Sequence, residues 1–139
     1  MSPRGSGRTQ VCSDQEAASR LRTARKFAEV AELVADEGDD VEYASQAASL
    51  AVLAGIAASD AACCKALGRR ARGQDHREAA VLLARVEPGG RQAATSLSRL
   101  LSLKDDAQYG LFDVGGQDLR SALRGARVLL EFAEEVVRR

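Results

Sequence analysis

Along most of the chain, small and aliphatic residues recur every three or four positions, the period of a helix with one buried face. The first such stripe is Ala17, Leu21, Ala24, Ala28, Ala31 and Ala35, widened by Phe27, Val30 and Val34. Ser13 and Glu16 stand ahead of it in capping-box register, each side chain satisfying a free backbone amide of the other. The helix is expected to stop at DEGDD, where Gly38 suits a left-handed C-cap. Asp39 and Asp40 are expected to cap a second helix that runs to about Leu67 and ends at Gly68. From residue 44 to residue 59 this helix carries no charge, and a helix apolar on most of its circumference belongs in the interior of a bundle. Asp75 is expected to cap a short third helix, HREAAVLLARV, with Glu78 three residues on and His76 in the first turn. Pro88 suits the first turn of a fourth, whose apolar face is Leu97, Leu100, Leu101 and Ala107. The tract YGLFDVGGQD interrupts it. A last helix, from about Gln117 to Val137, aligns Leu119, Leu123, Ala126, Leu130, Ala133 and Val137.

These elements predict an all-α protein, an up-and-down bundle of four to five helices forming one domain over residues 13–139. Residues 1–12, rich in Gly, Ser and Arg without periodicity, are expected to be a mobile tail. Composition agrees with helices packed at close range: aromatics are 4%, Trp is absent, and the two prolines lie at positions 3 and 88. Strand-type runs of Val, Ile, Thr and aromatics are absent.

Net charge is zero, which argues against coating nucleic acid by bulk electrostatics. Its distribution is uneven. Residues 29–42 hold Glu29, Glu32, Asp36, Glu37, Asp39, Asp40 and Glu42 without a cation, simplest as a solvated acidic face. Residues 65–77 hold Lys65, Arg69, Arg70, Arg72 and Arg77 against Asp75. Any anion site is therefore expected in this second region, which also carries the only histidine, His76. Three lysines against seventeen arginines, and no Asn, are the bias of a GC-rich bacterial genome, and Arg enrichment alone is not a functional signal. Cys12, Cys63 and Cys64 lack CxxC spacing, so neither a disulfide framework nor a metal site is expected, and no cofactor is implied. The first ten residues lack the apolar core of a signal peptide. The longest uncharged apolar run is shorter than a bilayer requires. The expected setting is cytoplasmic, with no membrane partner.

Two tracts carry a resemblance. The second helix ends DAACCKAL and leads into GRRARGQDH; the fourth ends LLSLKDDAQYG, ahead of a closing helix with Ala126 and Leu129-Leu130. Together, over roughly residues 14–137, they resemble the HEPN superfamily of small helical bundles. The resemblance implies an RNA-directed protein: a metal-independent ribonuclease, of toxin or RNA-processing type, or a non-catalytic partner of a nucleotidyltransferase in a toxin–antitoxin pair. It also implies a homodimer, whose two protomers bring together copies of an Arg followed a few residues later by a His. Arg70 or Arg69 with His76 fits that spacing, and Asp60 fits the polar residue that supports it from the second helix. Where many family members carry the signature, before the closing helix, this chain reads Lys104 and Tyr109.

Metal-free RNA cleavage needs one group to take the 2′-hydroxyl proton and one to protonate the leaving oxygen, and histidine suits either role near neutrality. A guanidinium grips phosphate through two parallel hydrogen bonds. On this reading Arg70 is the phosphate clamp, His76 the acid or base and Asp60 the support. Arg69, Arg72, Lys104 and Tyr109 are substrate-binding candidates. The plainer alternatives are an exposed His76 at a helix start, a solvated basic connector at GRRARG, and Lys104 and Tyr109 as ordinary surface and helix-end residues. Asp60, inside so apolar a helix, must be paired if buried, by Lys65, Arg69 or a charge on another helix.

Overall fold

A computed structural model describes residues 9–37, 41–72, 76–109 and 115–139, with residues 41, 42 and 104–109 as helical backbone only. Five helices follow one another: α1 (Asp14–Ala35), α2 (Val41–Leu67), α3 (Arg77–Leu83), α4 (Gly90–Tyr109) and α5 (Gly116–Arg138). Two short strands, β1 (Thr9–Val11) and β2 (Arg69–Ala71), flank the α1–α2 pair. The protein is an all-α helical bundle with α2 at its centre, packed against every other helix.

Helix α1 starts as its sequence dictates. The Ser13 hydroxyl accepts from the Glu16 amide at 3.1 Å, and the Glu16 carboxylate accepts from the Ser13 amide at 3.3 Å. Ala17, Leu21, Ala24 and Ala31 are buried, whereas Val30 and Leu33 face outward at 40% and 60% exposure, so the buried stripe is narrower than the sequence pattern. Helix α2 turns from residue 47 to residue 64 almost wholly inward through Ala, Val, Ser and Cys side chains. By length and composition residues 43–67 would also cross a bilayer, contrary to the reading of this run as too short. Here most of the helix is instead buried against its neighbours. Helices can approach this closely because the side chains between them are small: a Cβ on Gly55 would lie 2.6 Å from Leu100 Cδ1. Leu100 of α4, 1% exposed, thus fills the space where α2 and α5 meet. On α5 the most buried line is Ala122, Ala126, Leu129, Ala133 and Val136. Leu119, Leu123, Leu130 and Val137 flank it, and Leu129 reaches α2 where Gly55 leaves room for it.

Several expectations are corrected. Residues 9–12, assigned to the tail, are part of the fold: β1 pairs antiparallel with β2, with Thr9 opposite Ala71, Gln10 opposite Arg70 and Val11 opposite Arg69. The chain thus contains a small sheet despite lacking strand-type runs. Cys12 and Cys64, expected to be free, form a disulfide with Cα atoms 5.5 Å apart. Pro88 lies ahead of α4 rather than in its first turn; its peptide bond with Glu87 is cis, and Gly90 opens the helix. His76 is the N-cap of α3 rather than a first-turn residue. The caps expected at Gly38, Asp39, Asp40 and Asp75, and most of the YGLFDVGGQD break, lie outside the described residues.

Candidate functional site

Helices α1 and α2 form an antiparallel hairpin, so the start of the first meets the end of the second. Three cross-links at that end show the pairing: Cys12–Cys64, Asp14 Oδ2–Lys65 Nζ at 3.4 Å, and Arg20 Nη2–Asp60 Oδ2 at 3.1 Å. Gly68, at φ +70°, then turns the chain out of α2, a conformation that costs glycine little and other residues more. Its amide donates to the Cys64 carbonyl and its carbonyl accepts from the Cys12 amide, both at 3.0 Å. The turn delivers Arg69 and Arg70 into β2, beside β1.

Asp60 is buried, at 6% exposure, one α2 turn before the disulfide. Its partner is the charge on another helix that its burial demanded, Arg20 of α1, rather than Lys65 or Arg69. Burial pushes the Asp60 carboxyl above its ordinary value, while Arg20, through charge and hydrogen bond, and the charge of Arg70 pull it back. Arg70 is therefore near enough for its field to act on this carboxylate. Arg20 pairs with the buried acid directly, and the charge of Arg70 reaches it from β2. Arg20 Nε is itself buried and has no hydrogen-bond partner among the described residues.

Beside this cluster, Arg69 Nε donates to the Thr9 hydroxyl at 2.8 Å. Arg69 and Arg70 are half-buried and Arg72 is exposed. His76, also half-buried, starts α3 without capping it through its side chain. Helix α3 packs against β2, which places the strand with Arg69 and Arg70 against the element that His76 begins. That helix has seven residues, about two turns, too few for a strong dipole at its N-terminus. Lys104 and Tyr109 lie in the last turns of α4, and their side chains fall outside the described residues. Cys63 is buried next to the disulfide, and burial first, then the charge of Asp60, pushes its thiol up to about 12 against a lowering hydrogen bond from Ser59. Among the described residues no three His, Cys, Asp or Glu side chains cluster to hold a metal ion.

Sequence reasoning reached Asp60, Arg69, Arg70, Arg72 and His76 but missed Arg20, Thr9 and the disulfide. A signal for all three was present. If α1 and α2 pair antiparallel, residues near 12 and 64, and near 20 and 60, must meet at one end. The chain matches no family model and no curated protein.

Proposed function

We propose that this is an RNA-directed helical bundle of HEPN type, acting as a homodimer through the basic end of the α1–α2 hairpin. The observation that carries the reading is the buried Asp60, paired with Arg20 of α1 and within the field of Arg70, whose strand packs against the helix starting at His76. Asp60 holds the Arg20 guanidinium and the Thr9 hydroxyl that of Arg69, so less side-chain entropy is lost when these arginines grip phosphate. In the catalytic form, His76 takes the proton of a 2′-hydroxyl, whose oxygen attacks the adjacent phosphorus. Arg70 offsets charge on the phosphoryl oxygens, and the 5′-oxygen leaves with a proton from the second protomer's copy of that histidine. Arg69 and Arg72 extend the phosphate track; Lys104 and Tyr109 lie beyond Leu100 on α4, which packs at Gly55 and runs from there toward the start of α2, away from this end.

A second reading has its own support. Asp60 is committed to Arg20, and Arg69 to Thr9, an arrangement that suits holding an anion more than moving protons. On that reading the protein is a non-catalytic regulatory module, for example the partner of a nucleotidyltransferase in a toxin–antitoxin pair.

The test is cleavage of a labelled single-stranded RNA in EDTA by the protein and by His76→Ala. Cleavage by the first and not the second supports the ribonuclease. Binding without cleavage by either supports a non-catalytic RNA-directed relative, and neither binding nor cleavage contradicts the RNA-directed reading and leaves the regulatory module. Light scattering is expected to give twice the chain mass at micromolar concentration; a monomer mass contradicts the homodimer.

A further inference from the structure

The disulfide lies where the N-terminal arm meets the arginine turn. Cys12 and Cys64 are 6% and 1% exposed and pack with Ala17 in a cluster separate from the main core. Among the described residues the arm has few other anchors. They are the three-residue ladder with β2, the Cys12 amide on the Gly68 carbonyl, the Thr9 hydroxyl on Arg69, and the partly exposed Asp14–Lys65 pair. Val11 is 68% exposed, so apolar burial contributes little to holding β1. Every one of these contacts joins the arm to the segment from Cys64 to Ala71. They make or break together.

We propose that Cys12–Cys64 is a redox clasp: oxidised, it pins β1 across β2 and fixes the strand that carries Arg69 and Arg70; reduced, it lets β1 detach and those arginines lose their fixed positions. The consequence for RNA rests on the anion-site reading above; the clasp itself does not.

The chemistry is thiol–disulfide exchange with a dithiol reductant. Its thiolate attacks one of the two sulfurs, breaking the S–S bond and forming a mixed disulfide, and the other cysteine leaves as a thiolate. The reductant's second thiol then attacks the mixed disulfide and departs as a disulfide. Cys12 and Cys64 take up the two protons that the dithiol gives up. Glutathione disulfide drives the reverse, accepting two electrons and leaving as two thiols. Because the sulfurs are sealed, exchange waits for β1 to lift, so the arm gates its own release. The Cα separation of 5.5 Å is within the range a disulfide spans, so the bond re-forms once β1 lies back across β2. Cys63 does not compete for Cys12: its thiol, pushed up to about 12, stays protonated at neutral pH and is not an attacking thiolate.

Hydrogen exchange read by mass spectrometry tests the clasp on the protein treated with glutathione disulfide, the same protein reduced with dithiothreitol, and Cys12→Ser. Amides of residues 10–12 and 69–71 are expected to exchange at least about ten-fold faster in the reduced protein and in Cys12→Ser, with the middle of α2 unchanged. Re-oxidation of the wild type is expected to restore protection. Equal exchange in the three samples overturns the proposal, as does a glutathione-disulfide-treated protein in which Cys12 and Cys64 both remain alkylatable after denaturation. Binding of a fluorescent single-stranded RNA by the same samples separates the two readings. Weaker binding on reduction supports the coupling, and equal binding in both states overturns it. Exchange that responds while no state binds RNA leaves the clasp standing and removes the anion site.

Discussion

Arginines cross between helices in two regions of this protein, and the two are held differently. Between α1 and α5, Arg25 Nε meets Glu134 at 2.9 Å and Arg127 Nη2 meets Glu32 at 2.7 Å. These pairs span a groove floored by Ala28, Ala31, Ala126 and Leu130. Each cation there has its own carboxylate, and both arginines are at least half exposed. At the end of the α1–α2 hairpin, Arg20, Lys65, Arg69, Arg70 and Arg72 face only Asp14 and Asp60 as ion partners among the described residues, and Asp60 is buried. The groove is a neutral strap, with pairs that water already screens. The hairpin end has surplus positive charge and a covalent tie. A surplus of fixed cations can take an anion, and a neutralised row cannot.

The largest effect expected from breaking the hairpin end is loss of its tie. Cys12→Ser opens a loop closed across 52 residues, and chain entropy puts the cost at about 4 kcal/mol, to be measured by urea unfolding under oxidising conditions. Arg20→Ala comes next. Removing one partner of a fully buried pair costs roughly 3–5 kcal/mol, but Arg20 is a third exposed and Arg70 remains near, so about 2 kcal/mol is expected.

Asp60 carries a pH signature. Its folded value is raised above the ordinary 3.8 by burial, so over the window above 3.8 the native state holds a proton that the unfolded chain has released. Its contribution to stability is complete below 3.8 and is lost as pH rises through the raised value. The stability of the wild type minus that of Asp60→Asn is expected to fall as pH rises above 3.8, and a rise there contradicts the assignment. The smallest effect belongs to the groove, where Arg127→Ala is expected to cost no more than about 0.5 kcal/mol by thermal unfolding.

The same contrast marks what could be read from the sequence. The helices, the Ser13 cap, the end of α2 at Gly68 and the central place of α2 all follow from local signals: periodicity, capping register, a glycine, an uncharged run. The partner of Asp60 does not, because Arg20 is forty positions away on a helix whose other arginines face solvent. The disulfide was hidden for the same reason. Cys12 and Cys64 carry no local motif, and β1 owes its strand to the turn it is tied against rather than to β-branched residues. On α5 the pattern of leucines misplaced the seam by about one position, because the most buried line is mostly small residues, with Leu129 set where Gly55 leaves room for it. Of the candidate site, residues 60–76 were legible as charge density, whereas the geometry that brings Arg20 onto Asp60 required the pairing of α1 with α2.

The measurement that bears most directly on the hairpin end as the working surface is RNA affinity in two matched double variants of the oxidised protein. Arg69→Ala with Arg70→Ala is set beside Arg25→Ala with Arg127→Ala, each removing two charges, with fluorescence anisotropy of a labelled single-stranded RNA as readout. The first pair is expected to lose at least about ten-fold in affinity with a shallower salt dependence, and the second to bind as wild type. Equal losses in both, or no loss when Arg69 and Arg70 are removed, would contradict a phosphate-binding site at this end of the bundle.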